Sequence, residues 1–73
     1  MTTIRTPSGV YLVTVRGYGG APYEQLLVDT AGQVTDLSGA AVVYSDVIIV
    51  QGELRAAGAP ELAERVIDWW RSR

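Results

Sequence analysis

The chain has 73 residues, enough for one domain, and its six arginines and eight carboxylates give a formal charge of −2. It has no cysteine, histidine or lysine, which excludes disulfides, the usual zinc and copper ligands, and an active site built on a histidine or lysine base. With 48% hydrophobic and 19% charged residues, the composition is that of a folded domain, and we expect neither cofactor nor metal.

The charge and hydropathy patterns restrict the classes of partner that the chain is expected to bind. No apolar run approaches the roughly 20 residues of a membrane span, and the N-terminal segment has no apolar block of signal-peptide length. The arginines form no basic stripe of the kind that neutralises phosphates, so nucleic acid is not the expected partner. We expect a cytoplasmic protein that does not bind membranes. Its alanine, valine, glycine and arginine content suggests a GC-rich genome, and a phage origin is one hypothesis.

The first half of the chain predicts strands. Residues 10–16 (VYLVTVR) alternate in the way of a half-buried strand, and residues 2–6 can pair with them through a turn with Pro7 second and Gly9 fourth. The loop from Gly17 to Pro22 has three glycines in four positions. Residues 23–29 and 33–37 predict a hairpin with Gly32 in the left-handed conformation.

Within this hairpin, residues 29–33 (DTAGQ) match a segment of small GTPases letter for letter. Phosphate binding in those proteins requires a glycine-rich loop that ends in lysine, and this chain contains no lysine. Asp, Thr and Gly are also residues that a hairpin connection favours. The segment therefore indicates a turn, and no family resemblance follows.

Two apolar segments, residues 40–44 and 47–50, predict strand structure with a tight turn or a bulge at Ser45 and Asp46. Aliphatic residues on both sides of such a strand indicate burial on both faces, and another subunit could supply the second covering layer. Residues 51–59 predict only a strand end or helical turn followed by a connection.

The last segment predicts an amphipathic helix. Pro60 suits its first position, and Glu61 with Arg65 has the spacing of an ion pair along one helix face. The predicted fold is one α+β domain over residues 1–73. It has an antiparallel β-meander, or a small partly rolled sheet, of four to six strands with one C-terminal amphipathic helix packed on it.

The sequence contains no recognisable arrangement of catalytic residues. The carboxylates occupy polar strand, turn and helix positions with no sign of two converging in a cleft. The serines have no histidine or lysine to activate them. We therefore expect a protein that is not an enzyme.

The adjacent residues Trp69 and Trp70 are the strongest functional signal. On a helical wheel Trp70 lies inside the apolar arc, whereas Trp69 lies at its margin near Arg65, and tryptophan and arginine are enriched at interface hot spots. The candidate partner-binding residues are Trp69, Arg65, Arg71, Tyr18, Val47 and Ile49.

The leading hypothesis is a non-enzymatic interaction, assembly or regulatory protein that forms a homodimer or higher oligomer. One alternative is a small-ligand binding module that uses the loop from Gly17 to Pro22 as a lid. The other is a nucleic-acid adaptor that binds through Arg5, Arg16 and Arg55.

Overall fold

A four-stranded antiparallel meander and a pair of helices make up the fold. The structure, a computed structural model, describes residues 2–16 and 23–73, with only the backbone of residues 2, 16 and 23. The strands pair in the order β1-β2-β3-β4, and both helices follow them in the chain. The elements are β1 (Thr2–Arg5), β2 (Tyr11–Arg16), β3 (Tyr23–Val28), β4 (Val34–Asp36), α1 (Tyr44–Ala56) and α2 (Pro60–Arg71).

Alternation of side chains accounts for the sheet. In β2, Val13 and Val15 are fully buried while Leu12 and Thr14 between them are only half-buried. The predicted strands at residues 10–16, 23–29 and 33–37 are confirmed, as is the edge strand, in which Ile4 pairs with Leu12. The meander is therefore predicted by period-two patterning and turn residues together.

Both predicted turns of the sheet are confirmed. Gly9 has φ +87° and its amide donates to the carbonyl oxygen of Thr6 at 3.0 Å. In the β3–β4 connection, Asp29 Oδ1 accepts hydrogen bonds at 2.9 Å from the amides of Ala31 and Gln33. Gly32 has φ +89°, a conformation that glycine adopts without steric cost. The DTAGQ segment thus forms a hydrogen-bonded hairpin turn.

The prediction of strands at residues 40–44 and 47–50, and of a single helix, is wrong. Ala41 makes only an isolated bridge to Thr35, and α1 covers Tyr44–Ala56. Ser45 and Asp46 form neither a tight turn between strands nor a bulge, since both residues lie in the first turn of α1. The sheet therefore has four strands, and residues 2–16 and 23–73 contain two helices.

Helical spacing explains why this apolar segment is a helix. Val47, Val50 and Leu54 are fully buried at positions i, i+3 and i+7, whereas Ile48 lies outside the core. The helix ends in a Schellman motif. The amide of Gly58, with φ +84°, donates to the carbonyl oxygen of residue 55 at 3.1 Å, and the next amide donates to that of Leu54 at 2.8 Å.

The core lies between one face of the sheet and the two helices. It consists of Val13, Val15, Leu26, Val28, Val34, Val42, Val47, Val50, Leu54, Leu62, Ala63 and Val66. The opposite face of the sheet carries a cross-strand row of Ile4, Leu12 and Leu27. Ile4 in this row is 51% exposed.

Helix α2 lies directly on the turn of the β3–β4 hairpin. A Cβ atom added to Gly32 would come within 2.5 Å of the carbonyl carbon of Arg65, which is closer than non-bonded atoms approach. Backbone packs on backbone at this point, and only glycine has the space for it. The contact fixes the position of α2 relative to the sheet.

Substitution of Gly32 by alanine should separate conformational strain from this close contact. Gly39→Ala is the matched control, because Gly39 has φ +85° and an added Cβ would meet nothing within 4 Å. We expect Gly39→Ala to lower the free energy of unfolding by about 1 kcal/mol through backbone strain alone. Gly32→Ala should lower it by about 3 kcal/mol, because α2 must also shift. Urea unfolding followed by circular dichroism measures both, and equal losses would contradict the interpretation.

Candidate functional site

The two tryptophans at the end of α2 form the centre of an aromatic cluster. Both are half-buried, and their ring centroids lie 6.0 Å apart in an edge-to-face arrangement. Trp70 also contacts Tyr44 from the first turn of α1, with ring centroids 5.7 Å apart. Because α1 and α2 pack antiparallel, the start of α1 meets the end of α2, and aromatic residues from both helices form the cluster.

Arg73 covers the cluster from the C-terminal side. Its guanidinium carbon lies 4.0 Å from the ring centroid of Trp70 and 5.6 Å from that of Trp69. Both distances are in the range of cation–π interactions, which also orient the planar guanidinium parallel to a ring. A long, flexible side chain is held in place in this way at the surface.

Exposed apolar residues at the start of α1 extend the cluster. Val43 is 56% exposed, Tyr44 55% and Ile48 41%, and Ile48 lies one helical turn beyond Tyr44 on the same face. The other large hydrophobic side chains that are exposed among the described residues are those of Ile4 and Leu37. We call this surface the aromatic patch, and it consists of Val43, Tyr44, Ile48, Trp69, Trp70 and Arg73.

The sequence-predicted site residues do not all lie on this patch. Trp69 does, and Arg71 is exposed nearby at the end of α2. Val47 is fully buried in the core and Ile49 is half-buried against it, because both belong to α1 and not to a sheet edge. Tyr18, like the whole loop from Gly17 to Pro22, lies outside the described residues.

Arg65 points away from the tryptophans. Its Nη1 donates to the carbonyl oxygen of Thr30 at 3.3 Å, on the β3–β4 turn. The expected ion pair of Arg65 with Glu61 does not form. In the described part of the chain the ion pair is instead that of Arg55 with Glu64, 2.8 Å apart, which links α1 to α2.

The arginines proposed for nucleic-acid binding have different surroundings. Arg55 is paired with Glu64, while Arg5 lines a pocket that Arg55 does not line. The side chain of Arg16 lies outside the described residues.

Several residues of the patch could not be found from the predicted elements. The sequence predicts strands at Tyr44 and Ile48, and their i, i+4 spacing places them on one face only in a helix. The available signal was Gly58, a typical helix stop, preceded by the good helix formers at positions 53–56. Arg73 carries no sequence signal for its position over the rings.

Carboxylates gather at the other end of the β3–β4 hairpin. Burial raises the pKa of Glu24, and the charges of Asp46 and Asp36 raise it further. Asp46 is 4% exposed, and its Oδ1 has no hydrogen-bond partner. Hydrogen bonds from the Ser38 hydroxyl and from backbone amides, chiefly that of Ala40, lower the pKa of Asp36. No group of three possible ligands among residues 2–16 and 23–73 is placed to hold a metal ion.

The accessible surface of the chain is 4461 Å², close to the value of about 4,400 Å² that size scaling gives for a monomer of its mass. The total area is thus that of an ordinary single chain, and the case for a partner rests on where the exposed apolar side chains lie.

Neither helix of the described chain has the length and apolar character needed to cross a bilayer. Comparison with protein-family models, curated proteins and solved structures finds no match.

Replacing Glu24 by glutamine should stabilise the protein more at neutral than at acidic pH. Because the pKa of Glu24 is raised on folding from its ordinary value of 4.5, the folded state binds the proton more tightly, and stability falls as pH rises above that value. The gain of Glu24→Gln over wild type should grow between about pH 4 and pH 7. Urea unfolding across this range measures it. Asp36→Asn should show the opposite sign, because the pKa of Asp36 is lowered. A pH-independent difference for both variants would contradict the assignment.

Asp46→Asn should lower the pKa of Glu24. It removes the neighbouring charge that has the larger effect on Glu24 but leaves the effect of burial, so the pKa should fall toward 4.5 without reaching it. A carboxyl carbon NMR titration of Glu24 measures the change. Asp36→Asn should produce a smaller fall in the pKa of Glu24. A larger fall would show that Asp36 has the stronger effect on this carboxyl.

Proposed function

We propose that this chain is a non-enzymatic interaction protein that self-associates through the aromatic patch, as an assembly or regulatory component. The observation that carries the proposal is the exposure of Val43, Tyr44 and Ile48 beside the two tryptophans. Tyrosine, tryptophan and arginine are the residue types that dominate binding energy at protein interfaces. All three types meet in this one place.

The patch is also partly pre-organised for binding. Trp70 is held between Tyr44 and Arg73, so ring and guanidinium orientations are set before any partner arrives. Ordering a rotamer-rich side chain at an interface costs about 0.5–1.5 kcal/mol, and Arg73 avoids part of that cost. Burial of the exposed parts of Tyr44 and Ile48 would then favour association through the hydrophobic effect.

A second copy of the chain is the partner we propose. Residues 64–73, in α2 and just beyond its end, carry both signs of charge, with Glu64 and Asp68 against Arg71 and Arg73. A two-fold interface places a surface against its own copy, and a surface with both signs can pair with itself without net repulsion. A patch of uniform charge would instead indicate an oppositely charged partner.

Ile48→Glu should dissociate the dimer. The substitution puts a carboxylate into the apolar contact, while glutamate is a good helix former and position 48 is exposed, so the fold should persist. We expect the dissociation constant to rise at least tenfold. Sedimentation-equilibrium ultracentrifugation over a range of concentrations measures it, with circular dichroism as the check on folding.

Ile4→Glu is the matched control. Ile4 is also about half exposed but lies on the sheet face that the helices do not cover. It should leave the dimer intact. If Ile4→Glu dissociates the dimer and Ile48→Glu does not, association uses the open sheet face. If wild type is a monomer at every concentration, self-association itself is wrong.

A further inference from the structure

A second surface feature lies at the opposite end of α2. A pocket of about 550 Å³ opens where the β1–β2 turn, the β3–β4 turn and the start of α2 meet. Its volume is within the range of about 300–1,000 Å³ typical of small-molecule sites. It shares no residue with the aromatic patch.

Two residues of the sheet supply one wall of this pocket. Arg5 in β1 pairs directly with Tyr11 in β2, and Tyr11 lies on the same sheet face as Val13 because side chains alternate. A guanidinium and a phenol are thus neighbours across the strands, on the face that the helices cover. Both groups can donate hydrogen bonds to an oxygen ligand.

Arg65 supplies the facing cation from α2. Its hydrogen bond to the carbonyl oxygen of Thr30 holds the guanidinium at the pocket wall. Neither Arg5 nor Arg65 forms an ion pair with a carboxylate among the described residues. Two guanidinium groups therefore line one pocket, and neither is neutralised by an ion pair within the described residues, in a chain whose net charge is −2.

The start of α2 also favours a negatively charged ligand in this pocket. The N-cap residue Ala59 makes no side-chain hydrogen bond and Pro60 has no amide hydrogen, so the amides of Glu61 and Leu62 are the ones without a partner within the helix. The carboxylate of Glu61 also lines the pocket and leaves the lining with a net charge of +1. A single negative charge fits this balance, whereas a polyanion such as nucleic acid does not.

The remaining lining is apolar. Ala59, Pro60 and Leu62 line the pocket together with the ring of Tyr11. A free inorganic ion would leave these surfaces unused, and a ligand with a small hydrocarbon body would cover them. We propose that this site, the arginine pocket, binds a small organic carboxylate with its head group between Arg5 and Arg65.

An NMR titration with benzoate tests the proposal on the whole chain. Benzoate should produce saturable shifts of the amides of Thr30, Gly58 and Leu62, and benzyl alcohol, which has the same ring without the charge, should not. Arg5→Gln and Arg65→Gln should each weaken benzoate binding at least tenfold, because each removes a charge-assisted hydrogen bond. Both side chains are exposed, so neither variant should unfold.

Arg71→Gln is the matched control, since Arg71 is an exposed arginine of the same helix that does not line the pocket. It should bind benzoate with wild-type affinity. The proposal is overturned if benzyl alcohol binds as well as benzoate, if Arg71→Gln weakens binding as much as Arg5→Gln, or if benzoate gives no saturable shift. None of these outcomes depends on the oligomeric state.

Discussion

The contact of Gly32 with the backbone of Arg65 is the constraint on which the rest of the structure depends. It brings the β3–β4 turn against the middle of α2 with no side chain between them. From that point α2 extends in both directions, with its first turn toward the β1–β2 turn and its last turn toward the start of α1. The arginine pocket lies at one end of α2 and the aromatic patch at the other, so the position of this helix determines both.

Most of the sheet could be predicted from the sequence, because its signals are local. Alternation at residues 10–16 and turn residues such as Gly9 and Gly32 each act over a few positions, and the structure confirms them. Helix α2 was equally clear, since Pro60 and the apolar arc agree. These elements need no knowledge of the tertiary structure to be identified.

Helix α1 was missed because its apolar residues favour the wrong element. The segment from Val47 to Val50 is β-branched throughout, and β-branched residues are typical of strands. Burial of Val47, Val50 and Leu54 against the sheet outweighs that preference. Intrinsic preferences differ by less than about 1 kcal/mol per residue, whereas burying one such side chain is worth about 1.5–3 kcal/mol. The part of the aromatic patch that α1 supplies, Tyr44 and Ile48, could not be predicted for the same reason, whereas Trp69 could. The arginine pocket depends on three distant segments that no local pattern connects.

The separation of the two surfaces matters for how the molecule can work. A helix of 12 residues is about 18 Å long, so the pocket and the patch lie at opposite ends of a rigid rod. Each can be occupied without obstructing the other. The buried face of α2, which includes Leu62, Ala63 and Val66, connects them through the core.

The clustering of both tryptophans has a spectroscopic consequence. Trp69 and Trp70 are the only tryptophans of the chain, and with Tyr44 they occupy one small region. Tryptophan emission from the protein therefore originates where the start of α1 meets the end of α2. Tyr44 is close enough to transfer its excitation to Trp70, so the part of the tyrosine excitation that Tyr44 absorbs reports on the same region. Changes at the far strands will be nearly silent in tryptophan fluorescence and need a probe placed there.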